Sequence, residues 1–178
     1  MVQTEIIPAL DTVGQGFERK TTYLPQLLMA AEAAKAAFEV IKGSMAADAS
    51  DSTETKMPIV LATVKGDIHD IGKNIVKLLL ENYGYPVTDL GRDVPPEAIV
   101  EAAVRLHAPL VGLSALMTTT VPAMEETIQA LRKDAPWCKI VVGGAVLTAD
   151  YAYEIGADKY AADAMETVRY AEEMSKNF

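Results

Sequence analysis

The stretch Gly66–Gly72, which reads GDIHDIG, places a histidine between two acidic residues and two glycines. Asp67 stands two residues before His69, a spacing at which its carboxylate can accept a hydrogen bond from one imidazole nitrogen. That bond fixes the tautomer and makes the other ring nitrogen a better donor to a metal ion. The spacing therefore makes His69 a candidate metal ligand, held in place by Asp67.

One imidazole is too few for a metal site built by the protein alone, because protein zinc sites use three or four side chains. The chain has only two histidines, His69 and His107, and a single cysteine, Cys138. We interpret His107 as a surface residue near a helix end, and Cys138 as a small buried side chain rather than a reactive thiol. A metal at His69 would then take its remaining ligands from a macrocycle.

Small and hydroxyl-bearing residues stand at the ends of two apolar runs, VGLSALMTTT and VVGGAV. Small residues permit close packing of a helix on a sheet, or they leave a narrow slot for an extended ligand. Each of the threonines can cap the following helix, and one can also anchor Asp67. The residues concerned are Ser114, Thr118, Thr119, Thr120, Gly143 and Gly144.

From residue 57 onward, apolar runs typical of buried parallel strands alternate with segments of helical periodicity. Five strand–helix units predict an α/β fold: a flavodoxin-like (Rossmann-like) five-stranded parallel sheet with strand order 2-1-3-4-5. In that order the loops after strands 1, 3 and 4 meet at one edge, so the residues above share one rim. The predicted strands are 57–64, 85–90, 109–116, 139–144 and 158–161, and the predicted helices are 72–84, 94–107, 120–133, 147–156 and 163–176.

Residues 1–43 predict a partial N-terminal helical bundle, which a small, polar and acidic linker (44–56) joins to the domain at 57–178. Apolar residues recur at three- and four-residue spacing from Leu24 to Phe38, and Gly43 is predicted to close this helix. Two amphipathic helices cannot bury their apolar faces alone. We therefore expect a homodimer through these helices, or packing of the helices onto the α/β domain.

The charge balance limits the partners. The 178 residues include 16 basic and 25 acidic side chains, a formal charge of −9. Nucleic acid and anionic membranes both need clustered Lys and Arg, so neither is expected as a partner. No apolar run reaches the roughly 20 residues that span a bilayer, and the N-terminus lacks the pattern of a secretion signal. We expect a cytoplasmic protein.

Three motifs, in this order and at these strand ends, resemble those of a known family. The pattern resembles the cobalamin-binding domain of methionine synthase and, more closely, the corrinoid proteins of methylotrophic and methanogenic methyltransferase systems. The runs GDIHDIGKNIV, LGRDVPPE, VGLSALMTTT and VVGGA extend the resemblance over residues 57–176. The motifs are D-x-H-x-x-G at Asp67, His69 and Gly72, S-x-L at Ser114 and Leu116, and GG at Gly143 and Gly144.

The resemblance implies a cobalamin cofactor whose own lower base is displaced, with His69 as the lower axial ligand of cobalt. Asp67 would hold the other imidazole nitrogen and Thr120 would complete a relay that couples cobalt coordination to proton uptake. Gly72 would let the loop pass close beneath the corrin. The other implied cofactor-binding positions are Ile68, Asp70 (also a helix N-cap), Ser114, Leu116, Thr118, Gly143 and Gly144.

The resemblance implies a methyl-group carrier, which is not expected to be catalytic alone. A substrate-specific methyltransferase would load the methyl group onto cobalt from a small donor. An acceptor methyltransferase would pass it to a pterin or a thiol, and a reductive activator is a further implied partner. Residues 6–42 resemble the second half of the helical bundle that covers the methyl-bearing face in these proteins, where Tyr23 or Phe17 would cap that face or belong to the bundle core.

Two other functions stay open. One is the cobalamin subunit of a radical mutase, which shares D-x-H-x-x-G, and the other is a cobalamin sensor or storage module. A phosphorelay receiver has the same fold but needs an aspartate at the end of the third strand. Ser114-Ala115-Leu116 stand at that position, so this class is rejected.

Overall fold

The computed structural model describes residues 5, 7–45 and 56–176, which belong to two compact units. The smaller unit contains the helices α1 (Ile7–Glu18) and α2 (Leu24–Met45), and the larger unit contains every strand of the described chain. The strands are β1 (Ile59–Thr63), β2 (Val87–Asp89), β3 (Leu110–Ser114), β4 (Lys139–Gly143) and β5 (Lys159–Tyr160). The helices that follow them are α3 (Ile71–Asn82), α4 (Pro96–Arg105), α5 (Val121–Asp134), α6 (Ala149–Glu154) and α7 (Ala164–Ser175).

The five strands form one parallel sheet in the order β2-β1-β3-β4-β5, which confirms the predicted fold class. All five residues of β1 are buried. This explains why the strand reads as a continuous apolar run: a strand in the middle of a parallel sheet is covered on both faces. Ile59 pairs with Leu110 of β3, and Leu110 pairs with Lys139 of β4, so the three central strands end level with one another.

The two faces of the sheet differ. On one face, Val60 and Ala62 of β1 join a core cluster with Ile99 of α4 and with Met124 and Ile128 of α5, all at most 1% exposed. Strand side chains alternate between faces, so the opposite face carries the residues at the other positions of the same strands. At the carboxyl ends of β1, β3 and β4 this second face presents Thr63, Ser114 and Gly143, which are cross-strand neighbours.

The prediction that Gly43 closes the second helix is wrong, because α2 continues to Met45. A glycine ends a helix only when it takes the left-handed conformation, and it can equally keep helical angles. Ser44 and Met45, which were predicted as linker, therefore belong to α2, and positions 46–55 of that linker lie outside the described residues. In the part of the chain that the structure describes, no helix is long and apolar enough to cross a bilayer.

Candidate cofactor site

A tight turn places His69 at the carboxyl edge of the sheet. The N–H of Asp67 donates to the carbonyl oxygen of Val64 at 3.0 Å, which reverses the chain directly after β1. Gly66 takes the third position of this turn with a φ of 84°, a conformation that glycine adopts without a steric penalty. The loop then runs through His69 to the start of α3.

Asp67 and His69 are joined as their spacing predicts. The ring nitrogen Nδ1 of His69 lies 2.8 Å from Oδ1 of Asp67, and the His69 backbone N–H donates to the same oxygen at 3.0 Å. An ionised carboxylate only accepts hydrogen bonds, so in the neutral imidazole Nδ1 carries the proton and Nε2 keeps a free lone pair. The His69 side chain is 45% exposed, whereas that of Asp67 is fully buried. The imidazole is thus oriented at one nitrogen and available as a ligand at the other.

The second carboxylate oxygen of Asp67 is held by the loop after β3. Oδ2 accepts hydrogen bonds from the backbone N–H of Leu116 at 2.7 Å and of Met117 at 3.3 Å. It also accepts from the hydroxyl of Thr120 at 2.8 Å. Thr120 Oγ1 lies equally close to the Met117 carbonyl oxygen, so its single proton is shared between two acceptors. The His69 loop and the loop after β3 are therefore joined through one carboxylate.

Asp67 stays ionised although it is buried. Burial alone would raise the pKa of this carboxyl group, because it disfavours the charged form. The hydrogen bonds from the His69 and Leu116 backbones, the His69 ring and the Thr120 hydroxyl outweigh burial and hold the pKa of Asp67 well below its usual range. A carboxylate that cannot be protonated at neutral pH is a permanent acceptor for the imidazole.

Apolar side chains flank the imidazole and remain open to solvent. Ile68 is 59% exposed, Ile71 is 77% exposed and Leu116 is 41% exposed, although large apolar residues are usually buried. A methyl group added at Gly72 would meet nothing within 4 Å, so this position faces open space. An apolar surface that contains a nitrogen able to bind a metal suits a broad, flat ligand. Ile71 is a candidate residue of this surface that the sequence motif did not indicate.

The strand ends beside this surface carry two hydroxyl groups and a glycine. Thr63 pairs with Ser114 of β3, and Ser114 pairs with Gly143 of β4. The Thr63 hydroxyl is fully buried and has no hydrogen-bond partner among the residues that the structure describes. A buried polar group without a partner is costly, so this row is a fitting place for the polar part of a ligand. Sequence reasoning missed Thr63, because only the strand register brings it beside Ser114.

Close packing within the protein accounts for the glycine at position 144. A Cβ atom there would collide with the backbone of Ala115, and the φ of 147° lies in the region that favours glycine. At Gly143 an added Cβ would lie 3.3 Å from the carbonyl oxygen of Ala161, which is tight but not prohibitive. Gly144 thus permits the close approach of two loops, whereas the predicted alternatives were packing of a helix on the sheet or a slot for a ligand; Gly143 lies in the row of strand ends.

The remaining predicted positions lie around the same edge. Thr118 and Thr119 are exposed on a 3-10 turn, and Thr120 precedes α5 with its hydroxyl directed to Asp67 rather than to a helix N–H. Asp70 precedes α3, and its carbonyl oxygen accepts a hydrogen bond from the Asn74 N–H at 2.8 Å. The structure therefore brings together Asp67, His69, Leu116 and Thr120 by direct contact and places the other predicted residues nearby in the fold.

The other two residues with metal-binding chemistry lie away from these contacts. His107 is exposed and stacks on Trp137, with ring centroids 4.5 Å apart. Cys138 is buried, and burial raises the pKa of its thiol to about 12, so it is not a reactive thiolate. Within the described ranges, no cluster of three or more His, Cys, Asp or Glu side chains could hold a metal ion.

The fold and this site together define a class of protein: a flavodoxin-like domain that offers one oriented imidazole, in an apolar setting, at the switch point of its sheet. A family model described as a B12 binding domain matches residues 57–169, and a second model with the same description matches residues 2–42. The first match covers more than half of the chain. The chain belongs to the B12-binding family, and its cofactor is a corrinoid of the cobalamin type.

Relatives agree with this assignment along nearly the whole chain. Dimethylamine corrinoid protein 1 of Methanosarcina acetivorans is 40% identical over 98% of this chain and 82% of its own length. A solved cobalamin-binding protein from Desulfitobacterium hafniense is 32% identical, with a TM-score of 0.80 over 92% of this chain and 77% of that one. The methanol:cobalamin methyltransferase complex of Methanosarcina barkeri contains a chain that is 28% identical, with a TM-score of 0.83 over 99% of this chain and 67% of that one.

We predict that Asp67→Asn destabilises the protein by about 2 kcal/mol or more at pH 7, because an amide nitrogen would face N–H donors where a charged acceptor now stands. The folded-state pKa of Asp67 is lowered, so the stability that it contributes is present above its unfolded pKa of about 4 and is lost as the pH falls further. Denaturant titrations at pH 7 and pH 3 measure both effects. A gap between wild type and variant that does not narrow at pH 3 would contradict this account.

A second prediction compares two glycines of the rim. Gly144→Ala should lower the free energy of unfolding by about 2 kcal/mol or more, because of its φ and its contact with the Ala115 backbone. Gly72→Ala should not lower it, because the new methyl group enters open space and alanine is favoured over glycine within a helix. Thermal unfolding of the two variants, each without cofactor, makes the comparison. An equal fall in the free energy of unfolding in both variants would show that the two glycines do not differ as described.

Proposed function

We propose that this chain carries a methyl group on a corrinoid between two methyltransferase partners. The observation that carries this proposal is the His69 imidazole, oriented by a buried, ionised Asp67 and left with a free Nε2 lone pair. The relatives support it, since one is named a dimethylamine corrinoid protein and a similar chain belongs to a methanol:cobalamin methyltransferase complex.

His69 would be the lower axial ligand of the cofactor's cobalt, in place of the cofactor's own base. The described residues contain no other set of metal ligands at this edge, so the macrocycle would supply the rest. When bound, the cobalt supplies the chemistry of accepting and releasing a methyl group. The protein holds the imidazole at a fixed angle through two bonds to Asp67 and excludes water from the buried carboxylate behind it.

In the relay of His69, Asp67 and Thr120, a proton would be held by the imidazole and not by the carboxylate. Asp67 is the acceptor of five hydrogen bonds, from His69, Leu116, Met117 and Thr120, and these keep it ionised. If Nε2 held a proton instead of a metal ion, the Asp67 carboxylate would compensate the positive charge of the ring. Thr120, whose hydroxyl hydrogen has two acceptors, can adjust to this change without leaving Asp67.

The surrounding residues fit the other parts of a corrinoid. The exposed side chains of Ile68, Ile71 and Leu116 would contact the underside of the macrocycle, with Gly72 leaving room for it. The row Thr63, Ser114 and Gly143 would line the slot for the nucleotide tail. There the unpartnered Thr63 hydroxyl offers a hydrogen bond.

Methyl transfer requires partners, since this chain contributes cofactor binding and orientation. A substrate-specific methyltransferase would load the methyl group from a small donor, and an acceptor methyltransferase would move it to a pterin or a thiol. A reductive activator would restore cofactor that has been oxidised. The choice of donor and acceptor belongs to the partners, because the imidazole site contacts only the lower face of the cofactor in this proposal.

A homodimer through the N-terminal helices is part of the proposal. Leu27 and Ala34 of α2 are buried, yet Tyr23 is 71% exposed and Met29 is 70% exposed. Large apolar side chains that are exposed together often mark association surfaces. A second copy of the same helices could cover them by completing a four-helix arrangement.

We expect a species of twice 19.1 kDa in equilibrium sedimentation at micromolar concentration. Tyr23→Glu combined with Met29→Glu should shift the protein to the monomer, because two charges would be buried in the interface. The matched control replaces the exposed Tyr153 of the other unit with Glu and should leave the dimer intact. Wild-type protein that sediments only at 19.1 kDa would exclude this dimer.

The ligand assignment predicts a spectroscopic change. Protein loaded with hydroxocobalamin and desalted should show the absorption of an imidazole-ligated corrinoid whose own base is displaced. His69→Ala should retain some corrinoid but lose that absorption, because the nitrogen donor is gone, and His107→Ala should keep it, because His107 stacks on Trp137 instead. An unchanged spectrum in His69→Ala would reject His69 as the ligand.

A further inference from the structure

The chain leaving β2 does not continue the sheet regularly. The N–H of Thr63 donates to the carbonyl oxygen of Gly91 at 3.0 Å, and the N–H of Val94 donates to the carbonyl oxygen of Thr63 at 3.1 Å. In a regular parallel ladder the two residues that bond one partner are two positions apart. Gly91 and Val94 are three apart, so the segment between them contains one extra residue and forms a β-bulge.

Asp93 lies in this bulge and contacts the turn before His69 at two points. Its N–H donates to the carbonyl oxygen of Asp67 at 2.9 Å, and its Oδ1 accepts from the N–H of Gly66 at 2.7 Å. Its φ of 54° is left-handed, a conformation that aspartate tolerates better than most residues. The bulge thus frees the N–H of Asp93 from the ladder and turns its carboxylate toward the loop.

The same segment also contacts the chain after His69. Asp89, the last residue of β2, accepts a hydrogen bond from the Lys73 ammonium at 2.6 Å and one from the Gly91 N–H at 2.9 Å. The Lys73 side chain is only 2% exposed and that of Asp89 is 14% exposed, so this ion pair is largely shielded from solvent. Lys73 belongs to the first turn of α3, so Asp89 and Asp93 secure the His69 loop from both ends.

We propose that Asp93 is a positioning residue for the His69 ligand and that the bulge Asp89–Val94 acts as a clamp on the loop that presents it. The effect on cofactor binding rests on the proposed function, whereas the contacts between the bulge and the His69 loop exist in the protein without cofactor. Asp67 must meet donors from the His69 loop and from the loop after β3 at once. A small displacement of its backbone would lengthen those bonds, and Asp93 holds that backbone at Gly66 and at the Asp67 carbonyl.

Asp93→Gly and Asp93→Asn separate the side chain from the backbone conformation. Glycine accepts a φ of 54° but has no acceptor, whereas asparagine tolerates this φ and keeps a side-chain oxygen for the Gly66 N–H. Amide hydrogen exchange by NMR, on the full chain without cofactor, reports the effect at His69 and Leu116, whose N–H groups bind Asp67. We expect exchange about 5- to 10-fold faster at both amides in Asp93→Gly, as for the loss of one hydrogen bond, and near wild type in Asp93→Asn.

Val111 in the middle of β3 is the internal reference, because its exchange follows the whole sheet. Unchanged exchange at His69 and Leu116 in Asp93→Gly would overturn the positioning role. Equal acceleration at Val111 would overturn it as well, since Asp93 would then serve general stability.

The loaded protein provides a second readout. Asp93→Gly should contain a smaller imidazole-ligated fraction in its absorption spectrum than wild type, and Asp93→Asn should restore that fraction. If His69→Ala leaves the spectrum unchanged, the proposed function fails while the exchange data still decide on the clamp. If His69→Ala abolishes the imidazole-ligated spectrum and Asp93→Gly retains it in full, the clamp has no influence on the ligand and this inference fails.

Discussion

The site depends on one buried carboxylate. Asp67 has no exposed surface, and a charge in that position is tolerated only when donors surround it. Two bonds from His69 and three from the loop after β3 supply those donors. The same bonds fix the tautomer and angle of the imidazole, so the features that suit His69 to bind a metal all follow from the hydrogen bonds that Asp67 accepts. Loss of any single donor leaves the Asp67 charge less well compensated and the His69 imidazole less firmly oriented.

The topology of the sheet explains why the donors converge there. β1 lies between β2 and β3 in the sheet. The segments that follow β2 and β3 therefore lie on either side of the loop that follows β1. The exit of β3 contributes the backbone N–H groups and Thr120, and the exit of β2 contributes the bulge with Asp93. This is the switch point at which ligands bind in open α/β sheets.

Much of the architecture could be predicted from the sequence because it depends on local patterns. The apolar run of β1 and the periodicity of the helices define the five units, and their number indicates the strand order that the structure shows. The D-x-H spacing predicts the Asp67–His69 bond because both residues lie on one short loop. One of the two alternatives for the threonines, the anchoring of Asp67 by Thr120, also agrees with the structure.

Features that depend on register or on backbone conformation could not be predicted in this way. Thr63 joins the site only because β1 and β3 end level, and Asp93 reaches Gly66 only because a bulge adds one residue to the ladder. Gly43 and Gly144 show the same limit. A glycine in a sequence does not reveal whether it ends a helix, continues one, or permits two backbones to approach, since this depends on angles and neighbours that appear only in the fold.

Electron paramagnetic resonance of the loaded protein in its cobalt(II) state would identify the nitrogen atom that binds the cobalt. The protein would be labelled with ¹⁵N-histidine and loaded with unlabelled cobalamin. If His69 is the ligand, each line split by the axial nitrogen should change from a triplet to a doublet, because ¹⁵N has nuclear spin one half. The same label in a His107→Ala background should still give doublets. Persistent triplets in the labelled protein would mean that the cofactor's own base remains bound, and they would contradict the account.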